Sequence, residues 1–161
     1  MDKPIEQKYL IKAPLAEVWR ALTDKKEIEE WSGATAFFYA QPGAQYTLWE
    51  GQIGGKIIEV VPQKKLKMTW KPEDWTREDS VVTFTLSWEK DATRVDLLHE
   101  NVQDFDYAGT TEGWNIYYLG EIKKMLEARG AKSAKPKAES KKQKAGAKKT
   151  AKKKSAGKKK K

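Results

Sequence analysis

His99 is the only histidine in the sequence and the only side chain whose ordinary pKa lies near neutrality. It closes the run Thr93-x-Val95-x-Leu97-x-His99, whose alternation puts it on the apolar face of a strand. Two roles fit that position. One is a polar group at a cavity wall, orienting a ligand or moving a proton. The other is a buried or rim histidine held by a hydrogen bond. Glu50, Glu59 and Glu100 are candidates for a carboxylate pair, yet their spacing fixes no mutual distance, and solvated strand positions or sheet-edge salt bridges explain them better. There is no cysteine, so thiolate nucleophiles, disulfides and thiolate metal sites are excluded. With one His and no Cys, a metal would need carboxylates alone, which zinc does not favour; no metal or cofactor is expected. No serine stands in a Gly-x-Ser-x-Gly setting. Gly51-x-x-Gly54-Gly55 lies between two strands and no Gly-Lys-Ser/Thr follows, so it reads as a turn with a bulge rather than a phosphate loop. These residues lean away from an enzyme.

Seven tryptophans are the stronger chemical signal. Trp19, Trp31, Trp70, Trp88 and Trp114 fall at core or cavity positions, where they also suit the wall of a flat apolar ligand site. Trp75 lies in the charged stretch 71–79. It is either an anchor for a partner or a ring folded over the sheet edge.

Charge divides the chain of 161 residues. Residues 1–130 hold 17 Lys and Arg against 22 Asp and Glu, a net −5, and all 17 aromatics. Residues 131–161 hold 15 Lys and one acid, a net +14, with seven Ala as the only apolar residues. The first part is large enough to bury a core. The second lacks apolar content for folding and is expected to be disordered. Its clusters Lys141, Lys142, Lys148, Lys149, Lys152, Lys153, Lys154, Lys158, Lys159, Lys160 and Lys161 suit sequence-blind binding of a polyanion such as nucleic acid. That composition resembles the lysine-rich tails of linker histones and some bacterial nucleoid proteins. An anionic membrane surface, a nuclear import signal or electrostatic folding onto the acidic part are rival uses. No apolar run approaches the ~18 residues of a membrane span, and the start lacks a signal-peptide core, so a cytoplasmic location is expected.

The elements that must position these residues follow from periodicity. Residues 5–12 alternate as a strand. Ala13-Pro14 then opens a short helix to about residue 23, with Leu15, Val18, Trp19 and Leu22 inward, and a second short helix covers about residues 26–31. Strands are predicted at 34–40, 45–50, 56–61, 65–71, 80–89 and 93–101, in an antiparallel meander. Val82, Phe84, Leu86 and Trp88 share one face, as do Leu66, Met68 and Trp70. That apolar face needs a cover. A helix over about residues 107–129 supplies it, with Trp114, Tyr118, Leu119, Ile122, Met125 and Leu126 within an arc of about 140° and Gly130 as its C-cap.

This order resembles the helix-grip, START-like (SRPBCC) superfamily. Within it the sequence is similar to the family of C-terminal domains of activators of the heat-shock-protein-90 ATPase. The matching stretches are Glu50-Gly51-Gln52-Ile53-Gly54-Gly55, Val61-Pro62, Lys67-Met68-Thr69-Trp70, Trp75, Val82-Thr83-Phe84-Thr85-Leu86, Thr93-x-Val95-x-Leu97-x-His99 and Gly113-Trp114-x-x-Tyr117-Tyr118. The resemblance covers about residues 5–127. It implies a cavity between sheet and long helix, used in relatives for lipids, hormones, polyketides or protein contacts. The eukaryotic activators also carry an N-terminal domain with an Asn-rich, Trp-containing motif, which this sequence does not show.

The sequence therefore predicts an α+β helix-grip domain over residues 1–130. A curved antiparallel sheet of about seven strands would surround a long C-terminal helix, followed by a disordered basic segment over 131–161. The expected function is non-enzymatic binding of an apolar small molecule, a lipid or a client protein. The expected enclosure is formed by Leu66, Met68, Trp70, Phe84, Leu86, Leu97 and His99 of the sheet and Trp114, Tyr118, Ile122 and Met125 of the helix. The alternatives are a co-chaperone acting on a heat-shock-protein-90 type chaperone and a START-like enzyme such as a cyclase or hydrolase.

Overall fold

The structure is a computed structural model that describes residues 3–133. The chain divides into two units, Met1–Glu127 and Ala128–Lys161. The fold below is that of the first. The lysines assigned to polyanion binding lie outside the described residues.

Strand β1 (Ile5–Ile11) is followed by helices α1 (Leu15–Thr23) and α2 (Lys25–Ser32). Pro14 stands at the N-cap of α1 in extended conformation, so its fixed φ aims the chain into the helix. Asp24 caps α2, its side chain accepting from the Lys26 amide, and Gly33 ends α2 in the left-handed region. Trp31 of α2 donates Nε1–H to the Ala21 carbonyl at 2.8 Å, which locks the two helices together.

Strands β2 (Gln45–Leu48), β3 (Ile53–Val61), β4 (Lys65–Thr69), β5 (Lys71–Pro72), β6 (Val81–Glu89) and β7 (Ala92–Glu100) complete an antiparallel sheet. The strand order is β1-β7-β6-β4-β3-β2, with the short β5 also pairing β3. The inner face carries Leu66 and Met68 of β4, Val82, Phe84 and Leu86 of β6, and Val95 and Leu97 of β7, all buried. Their alternation with exposed or half-buried neighbours is what commits the segments to strands. After a 3₁₀ turn (Asp104–Asp106) the chain enters α3 (Tyr107–Gly113), a π-helical turn (Trp114–Tyr118) and α4 (Leu119–Ser133). Trp114, Tyr118, Leu119, Ile122 and Leu126 are buried, so this helical run covers the curved sheet as a helix-grip fold requires.

Several expectations need correction. Residues 34–40 do not form a strand; Phe37 makes one isolated bridge to Thr47, although Ala36 and Phe38 are both buried. Trp88 is 55% exposed, because the buried alternation of β6 stops at Leu86, just before the hairpin to β7. The irregularity in β3 falls between Ile57 and Glu59, not at Gly54-Gly55. Gly55 serves a close approach instead: a Cβ there would overlap the Thr69 carbonyl and lie 2.8 Å from Tyr46 Cε1. The long helix is not uniformly α-helical. The Leu119 amide bonds to the Trp114 carbonyl, an i→i+5 link that adds one residue to the turn. Gly120 is required there, since any Cβ would overlap the Asn115 carbonyl. Gly130 does not cap the helix, which continues to Ser133; glycine weakens a helix interior without ending it unless it turns left-handed.

Candidate functional site

An open cleft of about 600 Å³ lies where the helical run leaves the sheet. Three elements build it. The turn between β2 and β3 contributes Trp49 and Gln52, and the start of β3 contributes Ile53. The end of β4 and the segment after it contribute Trp70, Pro72, Glu73 and Asp74. The helical run contributes Asp106, Gly109, Thr110, Gly113, Trp114, Tyr117 and Tyr118. Gly109 and Gly113 are one helical turn apart, so the helix presents backbone rather than side chain between its aromatics. A Cβ on Gly113 would meet only Tyr117 Cδ2, at 3.8 Å, whereas one on Gly109 would sit 2.8 Å from Asp106 Oδ1.

The floor is a cluster of rings. Trp70 and Trp114 lie 4.7 Å apart between centroids, Trp114 and Tyr118 also 4.7 Å, and Trp31 and Tyr118 4.5 Å. Trp49 stands edge-on to Tyr118 at 6.1 Å. It is set there by a turn in which Trp49 and Glu50 both adopt positive φ, 49° and 58°. Left-handed backbone at non-glycine residues costs free energy, and such strain concentrates at functional positions. The Tyr118 hydroxyl is buried and is the one buried side-chain polar atom without a hydrogen-bond partner among the described residues. Its burial holds the phenol neutral by raising its pKa.

Behind the floor, His99 is fully buried on β7. Trp114 donates Nε1–H to His99 Nδ1 at 3.1 Å, and an indole can only donate. Nδ1 is therefore the acceptor, Nε2 carries the proton, and it donates to Ser80 Oγ at 2.7 Å. Desolvation pushes the His99 pKa down to about 3, so the ring is neutral at physiological pH. Trp75 stacks on His99 at 5.9 Å and 15°, and donates Nε1–H to Asp106 Oδ2 at 2.9 Å. The relay Ser80–His99–Trp114 and Trp75–Asp106 fixes the cleft wall from beneath.

Of the residues singled out from the sequence, Trp70, Trp114 and Tyr118 line this cleft. Leu66, Met68, Phe84, Leu86, Leu97 and Ile122 are instead buried in the core, and Met125 packs against it half-buried. Their side chains are consumed by sheet–helix packing and leave no free wall. His99 acts through Trp114 rather than at the surface of the cleft. Trp75 is only 2% exposed, so its ring is part of the interior rather than of the outer surface. Glu50 and Glu100 are exposed, and Glu59 pairs with Lys65 at 3.3 Å. Among the described residues no cluster of His, Cys, Asp and Glu could hold a metal, and no helix is long and apolar enough to cross a membrane. Sequence reasoning missed Trp49, Tyr117, Glu73, Asp74 and Asp106. The first sits in a turn where parity carries no information. The last three join the cleft only through the path of the chain after β5 and β7.

Residues 12–127 match the family model described as Activator of Hsp90 ATPase homolog 1-like protein. A human protein named Activator of 90 kDa heat shock protein ATPase homolog 1 is 26% identical over 109 residues, 66% of this chain and 32% of that protein. The chain thus spans about a third of the length of that relative. Among solved structures, an HSP90 activator from Plasmodium falciparum is 26% identical with a TM-score of 0.68, over 79% of this chain and 96% of that one. A Mesorhizobium loti protein has the same fold, with a TM-score of 0.68 at 24% identity, over 78% of this chain and 98% of that one.

Proposed function

Because the chain belongs to the family of Activator of Hsp90 ATPase homolog 1-like proteins, we propose that its helix-grip unit is a non-enzymatic binding domain holding an apolar ligand in the aromatic cleft. The observation that carries this is the wall of Trp49, Trp70, Trp114, Tyr117 and Tyr118 around about 600 Å³ of open space. That volume lies within the range of small-molecule sites, and aromatic walls with a few polar groups are their usual lining. The neutral, sealed His99 has no path to a ligand proton, which favours binding over acid–base catalysis. The neutral fluorescent probe N-phenyl-1-naphthylamine tests the reading. It should bind with enhanced emission, and Gly113→Leu should abolish binding by filling the cleft. No binding, or binding indifferent to Gly113→Leu, refutes it. Native mass spectrometry of protein from its source would then identify the resident molecule.

The relatives' names favour a second reading, in which the domain contacts a chaperone of the heat-shock-protein-90 type. Pulldown followed by an ATPase assay tests it; affinity weaker than ~100 μM counts against it. The basic segment 131–161 would act separately, tethering a cytoplasmic protein to nucleic acid or another polyanion through phosphate contacts.

A further inference from the structure

The cleft is apolar on its floor and acidic on its rim. Glu73 and Asp74 are exposed lining residues, and neither forms an ion pair among the described residues. Asp106 adds a third carboxylate, with Oδ2 engaged by Trp75. Among the described residues no Lys, Arg or His lines the cleft. Lys71 precedes Pro72 in the chain but is not part of the lining. Residues 1–130 carry a net −5, the same sign as the rim. Aromatic faces attract cations through their quadrupole, most strongly for Trp, and carboxylates on a low-dielectric wall add to that attraction. An anionic ligand would meet repulsion from the rim with no cation among the described lining residues to offset it.

We infer that the cleft selects organic cations: a flat apolar body seated against Trp49, Trp70 and Trp114, with an ammonium group at the rim facing Glu73 and Asp74. This rests on the cleft being the binding site, and adds the charge of what it binds. The body excludes water from the rings, and the charged end stays at the mouth where hydration is retained. Both parts of the ligand are therefore satisfied without burying a bare charge.

Three probes sharing one ring test this: 2-naphthylmethyl-trimethylammonium, 2-naphthylmethanol and 2-naphthylacetate, titrated by calorimetry into the full chain at about 20 mM salt. The expected order is cation, then alcohol, then anion, with about a tenfold gap between cation and alcohol. That gap should shrink at about 300 mM salt, where exposed charges are screened. The double variant Glu73→Gln/Asp74→Asn should lose most of the preference for the cation over the alcohol. Its urea-unfolding midpoint, compared with that of the unsubstituted chain, shows that the variant is folded. Equal affinity for all three probes, preference for the anion, or a cation preference that survives the double substitution overturns the inference while leaving the apolar cleft intact. Failure of every probe to bind overturns the cleft reading itself.

Discussion

His99 gives a sharp test because it is the only histidine in the chain. Its ring is fully buried, accepts from Trp114 and donates to Ser80, and its pKa falls from 6.5 to about 3 on desolvation. Protonation would also place an N–H on Nδ1 against the Trp114 N–H, two donors facing each other. The unfolded chain therefore binds a proton below pH 6.5 that the folded chain refuses down to about pH 3. Stability contributed by the neutral ring is complete above 6.5 and is lost as pH falls through that window. The slope is about 1.4 kcal/mol per pH unit, so at pH 5 the loss is about 2 kcal/mol, or roughly 6–10 °C in melting temperature for a unit of this size. The carboxylates do not confuse this range. Glu29, lowered by its bond to Lys25, and Asp79, lowered by Arg77, lose their contributions only below their ordinary values of 4.5 and 3.8. Urea unfolding at pH 7, 6 and 5 measures the slope, and His99→Gln, which has no titrating ring, should flatten it whatever its own stability. Nitrogen chemical shifts of the ring should report the Nε2–H form throughout. A wild-type stability that is flat from pH 7 to 5 would refute the sealed, neutral histidine.

Other perturbations address different links. Gly120→Ala should cost about 2–4 kcal/mol in urea unfolding, because its Cβ overlaps the Asn115 carbonyl and the π turn cannot relax without moving Tyr118 or Leu119. Trp75→Phe keeps a ring over His99 but removes the bond to Asp106, and should cost about 1–3 kcal/mol in the same assay. Leu66→Ala, at a fully buried position opposite Phe84, should cost about 2–5 kcal/mol without altering probe affinity in the cleft. Deleting residues 131–161 should abolish retention on nucleic acid with little change in melting temperature; if ~6–10 phosphates are contacted, affinity of the full chain should fall about 10³–10⁵-fold between 50 and 200 mM salt.

Much of the fold was legible because burial here follows simple periods. Leu66 and Met68, and Val82, Phe84 and Leu86, are apolar at every second position, and the structure buries each of them. Trp88 continued that pattern in sequence but not in space, since parity cannot reveal where a strand outruns its cover. The helix was visible from its 3.6-residue period, yet the π turn was not. Tyr118-Leu119 reads equally well as one edge of a broad apolar arc, and only Gly120 hints at the tighter approach. The cleft was the least legible part. Its floor belongs to predicted residues, but its mouth is made by Trp49, Glu73, Asp74 and Asp106, which come from turns with no period. The core rings announce themselves by type and spacing. The opening depends on which loops the topology brings to one end of the sheet.

The pairing of β1 with β7 has a consequence for how the chain is made. Ile5 lies opposite His99, so the first strand finds its only partner about ninety residues later. At 5–20 residues per second, β1 waits roughly 5–20 s during synthesis before closure is possible. Until then β1 has no partner, and once β7 has paired with β6 the outer edge of β7 stays open, a template for another chain, until β1 closes on it. Closing that edge is a non-local step whose loop entropy slows it further. Truncations that remove β1 should therefore yield a species that is not merely less stable but aggregates edge to edge, the seven residues of β1 being the clasp that closes this edge of the sheet.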